Sequence, residues 1–233
     1  MAKPMSDWSL VLATRLINAN NKNRFVSVVT RGERGYGKSM YNLKVIAMML
    51  HVLYNYSEKE AWEKALDYII FDPYEYMRRI EHNYDNDIID PVWCLDDAGV
   101  YFTGMLFFRN PHLYDLISGS FDTIRTVTNA VLITCPFKDK LMNGLKQYDD
   151  REVTIYIDTS KENGHGVYGR KAVCIKWYRL PSGRKEWYKD FEDRFSCYIP
   201  TWIYNRYLEK RRYYNKEISK RWRKRIDELD AKN

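Results

Sequence analysis

Gly32-Glu33-Arg34-Gly35-Tyr36-Gly37-Lys38-Ser39 decides how this chain is read. The octet fits G-x-x-x-x-G-K-[ST]. In that pattern backbone N–H groups curl around nucleotide phosphates, the lysine reaches the β/γ oxygens and the hydroxyl holds Mg²⁺. The flanks agree with it. Val26-Ser27-Val28-Val29-Thr30 is β-branched and apolar, as a buried strand should be. Beyond the loop, Leu43, Ile46, Ala47, Leu50 and Leu53 recur at three and four, so a helix begins near Lys38 and lays one face on a sheet. Its N-terminus adds the partial positive charge an anion needs. The candidate nucleotide contacts are therefore Gly32, Glu33, Arg34, Gly35, Tyr36, Gly37, Lys38, Ser39 and the adjoining Met40, with Lys38 also counted as catalytic.

A second stretch bears on hydrolysis. Val92-Trp93-Cys94-Leu95-Asp96-Asp97 is four apolar residues ending in two carboxylates. The distance from Ser39 leaves ample room for a crossover to a parallel neighbour strand. Asp96 is expected to share the Mg²⁺ shell with Ser39, and Asp97 to orient or deprotonate the attacking water. Two adjacent carboxylates repel, and a nearby cation would offset that cost. A plain Asp-Asp turn after a buried strand is the alternative. Further on, Ala130-Val131-Leu132-Ile133-Thr134 reads as another buried strand closed by Cys135-Pro136. Thr134 is a candidate catalytic side chain that senses the γ-phosphate, or an ordinary β-branched strand end. Arg125 and Arg109 are candidates for an arginine reaching a neighbour's phosphate.

The chain's 233 residues, 45% of them hydrophobic, suffice for one α/β domain with an appendage. Charge is unevenly spread. From Thr201 onward eleven Lys and Arg face five Asp and Glu, so the tail holds six of the seven net positive charges. No apolar run approaches the ~18 residues of a membrane span, and the start lacks the charged and apolar regions of a signal peptide. The expectation is a soluble cytoplasmic protein, in the host's cytoplasm if viral. Cys94, Cys135, Cys174 and Cys197 form no C-x-x-C pair and read as buried thiols, a Cys94 to Cys135 disulfide being the alternative. His51, His82, His112 and His165 share no ligand spacing, so no structural zinc is expected.

Taken in order, a helix runs from a Ser6 or Asp7 cap through Ile17 until the asparagine-rich stretch Asn18 to Asn23 stops it. Ser57 and Glu60 stand at capping-box spacing before a helix through Ile69. Asp72-Pro73 opens another, ending near Asn83. From Gly104 to Thr128 the chain is mostly helical, interrupted by Pro111 and Gly119. Val153, Ile155 and Ile157 alternate with polar residues, a half-buried strand. Thr159 to Gly169, with Gly164 and Gly166 around His165, reads as a mobile loop. Lys171 to Leu180 and Arg184 to Asp190 flank Pro181-Ser182-Gly183 and make a hairpin. Its Lys176, Trp177, Tyr178, Arg179, Arg184, Lys185, Trp187 and Tyr188 interleave cations with rings, which suits nucleic acid, or equally an edge that uses lysine against aggregation. The tail from Thr201 reads as one helix. Its stripe is Ile203, Tyr207, Tyr214, Ile218, Trp222, Ile226 and Leu229, and Arg211, Arg212, Lys220, Arg221, Arg223, Lys224 and Arg225 fill the rest. It either docks on a partner subunit or lies along phosphate backbone.

Several segments beside the phosphate loop carry a resemblance. They are Arg15-Leu16-Ile17-Asn18-Ala19, Ala61-Trp62-Glu63-Lys64-Ala65-Leu66-Asp67, Leu95-Asp96-Asp97-Ala98-Gly99, Ile124-Arg125, Ile133-Thr134-Cys135-Pro136, Ile199-Pro200-Thr201-Trp202-Ile203-Tyr204 and Glu209-Lys210-Arg211-Arg212. Together these resemble the P-loop ATPases of spindle-shaped viruses and plasmids of thermoacidophilic archaea, a group described as similar to the bacterial initiator DnaA. The resemblance implies an AAA+ or RecA-like αβα ATPase using ATP and Mg²⁺ in viral or plasmid DNA replication, with Lys38, Ser39, Asp96 and Asp97 carried over. No helix-turn-helix domain or helical lid follows the ATPase part, and Asp97 stands where a glutamate is usual.

The expected fold is therefore α/β, a three-layer αβα P-loop NTPase. Its central sheet is mostly parallel, with an added β-hairpin at about 170–190 and a long basic C-terminal helix. Residues 1–200 would form the ATPase domain and 201–233 the tail. The expected activity is Mg-dependent ATP hydrolysis by a homo-oligomer acting on DNA, the alternatives being a virion-assembly or genome-packaging ATPase and a nucleotide-gated adaptor.

Overall fold

A computed structural model describes residues 9–146, 151–163 and 167–230. The chain divides into two compact units, Met1–Tyr198 and Ile199–Asn233. In the first, elements follow in the order α1 (Val11–Asn20), β1 (Val26–Arg31), α2 (Lys38–Tyr54), α3 (Glu58–Ala65), β2 (Ile69–Ile70), α4 (Pro73–Asp85), β3 (Trp93–Leu95), α5 (Ala98–Tyr101) and α6 (Leu106–Arg109). Then come α7 (Pro111–Thr123), β4 (Ala130–Thr134), α8 (Asn143–Lys146), β5 (Arg151–Asn163), β6 (Val167–Arg179) and β7 (Lys185–Phe195). The second unit is α9 (Thr201–Asp230), a single helix of 30 residues.

One seven-stranded sheet runs β2-β3-β4-β1-β5-β6-β7. The first five strands are mutually parallel, and β6 and β7 add an antiparallel ribbon. Strand alternation assigns the two faces. Thr30, Cys94 and Thr134 share a face through their register, and Thr30 and Cys94 both bond to Asn42 of α2, so α2 covers that side. Trp93 points the other way, with Tyr76 of α4 edge-on against it and Tyr76 stacked on Phe121 of α7. Helices thus cover both faces of the parallel part, giving three layers.

Local signals place the helices. The Ser57 and Glu60 capping box forms in both directions, and Asp72 caps α4 ahead of Pro73. Asn55 in the left-handed region ends α2. Asp193 of β7 accepts from the backbone N–H groups of Val11 and Leu12 and from the Tyr41 hydroxyl, which ties α1 and α2 to the ribbon. The first helix starts later than a Ser6 or Asp7 cap implies, at Val11 with Leu10 as N-cap and no side-chain cap, the Val11 and Leu12 N–H groups being taken by Asp193 instead.

Four further expectations are corrected. The acid-bearing β3 is not the neighbour of β1, because β4 lies between them. The third helix stops at Ala65, and Ile69 and Ile70 instead ladder with Cys94 and Leu95, tertiary pairing overriding helical spacing. Gly119 does not break α7, since Leu113, Ile117 and Phe121 bury the helix on both sides of it. The described part of 159–169 is strand, not loop, with β5 and β6 pairing as far out as Asn163 and Val167 past a register shift between Asp158 and Glu162. The added element is consequently a three-stranded meander longer than a hairpin at 170–190. Gly164, His165 and Gly166 lie outside the described residues, as do the side chains of Trp222, Ile226, Leu229, Arg221, Lys224, Arg225 and Arg179.

Candidate nucleotide site

The loop leaves β1 at Arg31 and enters α2 at Lys38. Gly32 is held at φ 144°, where an added Cβ would lie 2.8 Å from the Ile155 carbonyl oxygen. Gly37 is the N-cap of α2 at φ 93°, and a Cβ there would meet Cys197 Sγ at 2.3 Å. A side chain at Gly32 would strike backbone, and one at Gly37 would have to displace the Cys197 thiol. The Tyr36 hydroxyl donates to the Glu33 carboxylate, and this bond raises its pKa. Lys38 Nζ turns back on the loop and donates to the carbonyls of Gly32 and Glu33, each at 2.8 Å. The ammonium is thereby held across the cradle by neutral acceptors that a phosphate oxygen can replace.

Opposite the loop, the ends of β3 and β4 converge. Asp96 is fully buried. Its Oδ1 accepts from Ser39 Oγ at 2.8 Å and from Thr134 Oγ1 at 2.6 Å. The Thr134 hydroxyl in turn accepts from the Asp97 backbone N–H at 2.8 Å. Asp97 itself is partly exposed and sits at φ 50°, ψ 33°, a left-handed conformation that is unusual outside glycine. Three segments far apart in sequence therefore meet: Lys38-Ser39, Asp96-Asp97 and Thr134. A buried carboxylate beside a serine hydroxyl is a hard-oxygen pair, which fits Mg²⁺ held by few protein ligands together with a nucleotide, while the N–H groups of the glycine-bearing loop suit the phosphates. Ser39 and Asp96 would hold that ion, and the backbone from Gly32 to Met40 the phosphates.

Arg125 is not brought to this site. Arg125 precedes β4 and Thr134 ends it, so the two stand at opposite ends of the strand, and Arg125 is exposed. Arg109 ends α6 and is exposed. Several other residues came from the structure alone. Asn42 of α2, buried, accepts from Thr30 Oγ1 and donates to Cys94 Sγ, fastening the helix behind the loop to two strands. Glu152, buried on β5, pairs with Arg31 at 2.6 Å and with Lys138 at 3.5 Å, linking the residue before the loop to the segment after β4. Cys135 follows Thr134, and burial pushes its thiol up to about 12 against the opposing field of Lys38. A polar residue on the apolar stripe of α2 was the one legible sign of Asn42.

A phosphate loop between the first strand and its helix, facing an acid two strands away in a three-layer sandwich, defines the P-loop NTPase fold. No family model matches the chain. It is 25% identical over 233 residues to the uncharacterized protein B-251 of Sulfolobus spindle-shape virus 1, covering 98% of this chain and 87% of that protein. To the uncharacterized protein ORF286 of Acidianus two-tailed virus it is 26% identical over 139 residues, 59% of this chain and 45% of the viral protein. Both relatives belong to viruses of archaea, in keeping with the virus side of the resemblance, and neither name states an activity. Among solved structures, a KaiC-like protein from Pyrococcus horikoshii covers 70% of this chain and 89% of its own at 13% identity and a TM-score of 0.36. No described helix is long and apolar enough to cross a membrane.

Proposed function

We propose that this chain binds Mg-ATP at the Gly32 to Met40 loop, hydrolyses it, and acts on DNA during replication of a virus or plasmid. The observation that supports this most is the convergence of Ser39, Thr134 and Asp97 around the buried Asp96, Ser39 following Lys38 directly in the chain. Lys38, released from the Gly32 and Glu33 carbonyls, pairs with the terminal phosphate oxygens. Asp96 keeps Ser39 oriented. Asp97 takes the proton of the attacking water, and Thr134 holds the backbone that carries it. When bound, the magnesium ion neutralises charge between the β- and γ-phosphates. Arg125 or Arg109 would act only on the phosphate of a neighbouring copy in a homo-oligomer.

The test is nucleotide uptake and turnover by the full chain, with and without DNA. Lys38→Ala is expected to lose both. Asp97→Asn is expected to keep uptake and lose turnover by about 10² to 10⁴-fold, the span of a positioned base. Unchanged turnover in Asp97→Asn removes the assigned base. A second reading, a nucleotide-gated adaptor with little turnover, is favoured by one feature: Asp97 is a short arm on left-handed backbone. Tight uptake without measurable turnover selects it.

A further inference from the structure

Strand alternation separates the rings and cations of the ribbon into two sets. Ala172 and Cys174 of β6 are buried on one face, with Asp193, the register partner of Ala172, bonded to α1 and α2, whereas Val173, Ile175 and Trp177 alternate to the other face, where they remain partly exposed. Trp177 and Trp187 are register partners on that open side, and Trp187 is 59% exposed. Lys185 Nζ lies 4.7 Å from the Trp177 ring centroid, and Lys138 Nζ approaches the same ring at 5.9 Å from the segment after β4. That segment continues the alternation, with Phe137 63% exposed and Lys140 Nζ 5.6 Å from its ring. A backbone bridge between Thr103 and Leu141, with the Gly104 N–H donating to the Lys140 carbonyl, joins it to the segment leading into α6, whose Phe108 is 76% exposed. Rings and cations thus follow one another from the paired loops, beside the candidate nucleotide site, out along the open sheet face.

We infer that this face binds single-stranded DNA, an inference that rests on the DNA-directed reading above and names its substrate and surface. Exposed aromatic rings gain from DNA only when base faces are free to stack, and a duplex hides those faces. Cations placed between rings meet the phosphates that separate successive bases. The rings named here sit on strands and on the segment after β4, not on a helix, the element most suited to enter a major groove and read duplex sequence. The strand passes over Phe137, Trp177 and Trp187, with Lys140 and Lys185 on its phosphates.

The experiment is fluorescence anisotropy of a labelled 25-nucleotide oligo-dT, and of the matching dT·dA duplex, titrated with the full chain at fixed salt, for wild type, Trp187→Ala, Phe137→Ala and Lys185→Ala. Melting temperature controls for folding, and all three side chains are on the surface. Wild type is expected to prefer the single strand, and each ring variant to lose about fivefold to a hundredfold in affinity. Lys185→Ala is expected to flatten the salt dependence by about one phosphate's worth. Full single-strand affinity in both ring variants overturns the proposed face while leaving DNA binding elsewhere intact, for instance on the tail. Equal affinity for duplex overturns the substrate class. Absence of binding to either DNA overturns this inference together with the DNA part of the proposed function, whereas Mg-ATP uptake tests the nucleotide part separately. A change in sedimentation of Trp187→Ala with unchanged DNA affinity assigns the face to self-association and overturns the inference.

Discussion

Replacing Gly37 by alanine tests how the phosphate loop is held, and Gly35 supplies the internal reference. Both have left-handed backbone, φ 93° and φ 84°, so each alanine carries a conformational cost of about 1–2 kcal/mol. Around Gly35 a new Cβ meets nothing within 4 Å. Around Gly37 it lands 2.3 Å from Cys197 Sγ, and the thiol must retreat by about 1.5 Å to reach ordinary contact. Cys197 can rotate about one side-chain torsion, forfeiting its weak bond to the Tyr36 carbonyl at 3.9 Å, which places the extra cost at the low end of overpacking, about 1 kcal/mol. Gly37→Ala is therefore expected to cost about 2–3 kcal/mol and Gly35→Ala about 1–2 kcal/mol. Removing the thiol in the Gly37→Ala background returns about 1 kcal/mol, so the double-mutant cycle with Cys197→Ala carries a coupling of that size. Urea denaturation at 25 °C measures all four variants if the m-values agree. A coupling below about 0.3 kcal/mol, or equal costs at Gly35 and Gly37, refutes the contact between the thiol and the loop.

Thr134→Val keeps the strand's shape but strips the hydroxyl from Asp96 and from the Asp97 N–H; denaturation should show a loss of about 1–3 kcal/mol, and Mg-ATP uptake should weaken with it. Asp193→Ala leaves the Val11 and Leu12 amides and the Tyr41 hydroxyl without their shared buried acceptor, and is expected to cost about 3 kcal/mol in the same assay. Glu192, bonded to Lys189 and Lys171, is lowered from 4.5 to about 2. Its contribution is therefore present above pH 4.5 and lost as pH falls from 4.5 toward 2, so carboxyl NMR shifts at pH 3 should report Glu192 still ionised. At pH 8 an alkylating reagent should label Cys197 first, because burial holds the Cys135 and Cys174 thiols up at about 12 while Cys197 is partly exposed.

Much of the fold was legible where a residue's local chemistry and its tertiary role agree. Gly37-Lys38-Ser39 demands a strand before it and a helix after it, and the capping residues Ser57 and Asp72 act within one turn of themselves, so no distant contact had to be known. The misreadings share a different cause. Ile69 and Ile70 suit a helix's apolar stripe and a buried strand equally well, and only the Cys94-Leu95 ladder decides between them. The glycines near 164–169 mimic a loop, but β5 ladders with β6 as far as Asn163, and Gly169 itself pairs with Asp158. Glu152 and Asp193 gave no signal, because each is an ordinary acid in an alternating strand until its partners arrive from segments 14 to 182 residues away.

Strand order has a chemical consequence that pairwise motif spacing does not contain. Were β3 beside β1, Asp96 would stand one inter-strand spacing, about 4.8 Å, from the exit of the phosphate loop, and its carboxylate would crowd the space a triphosphate needs. With β4 between them the strand axes are about 9.6 Å apart. A side chain that supports the acid without charge is favoured at the end of the intervening strand, because a second carboxylate would repel it and an apolar group would take one hydrogen-bond donor from a buried carboxylate. Thr134 is such a side chain. Its hydroxyl proton goes to Asp96 and its lone pair receives the Asp97 N–H, so one residue sets both the buried acid and the exposed one. Serine at 134 should preserve both bonds with looser χ1, and valine neither. Uptake of Mg-ATP that falls in the order wild type, Thr134→Ser, Thr134→Val supports this account, and a valine variant indistinguishable from the serine one contradicts it.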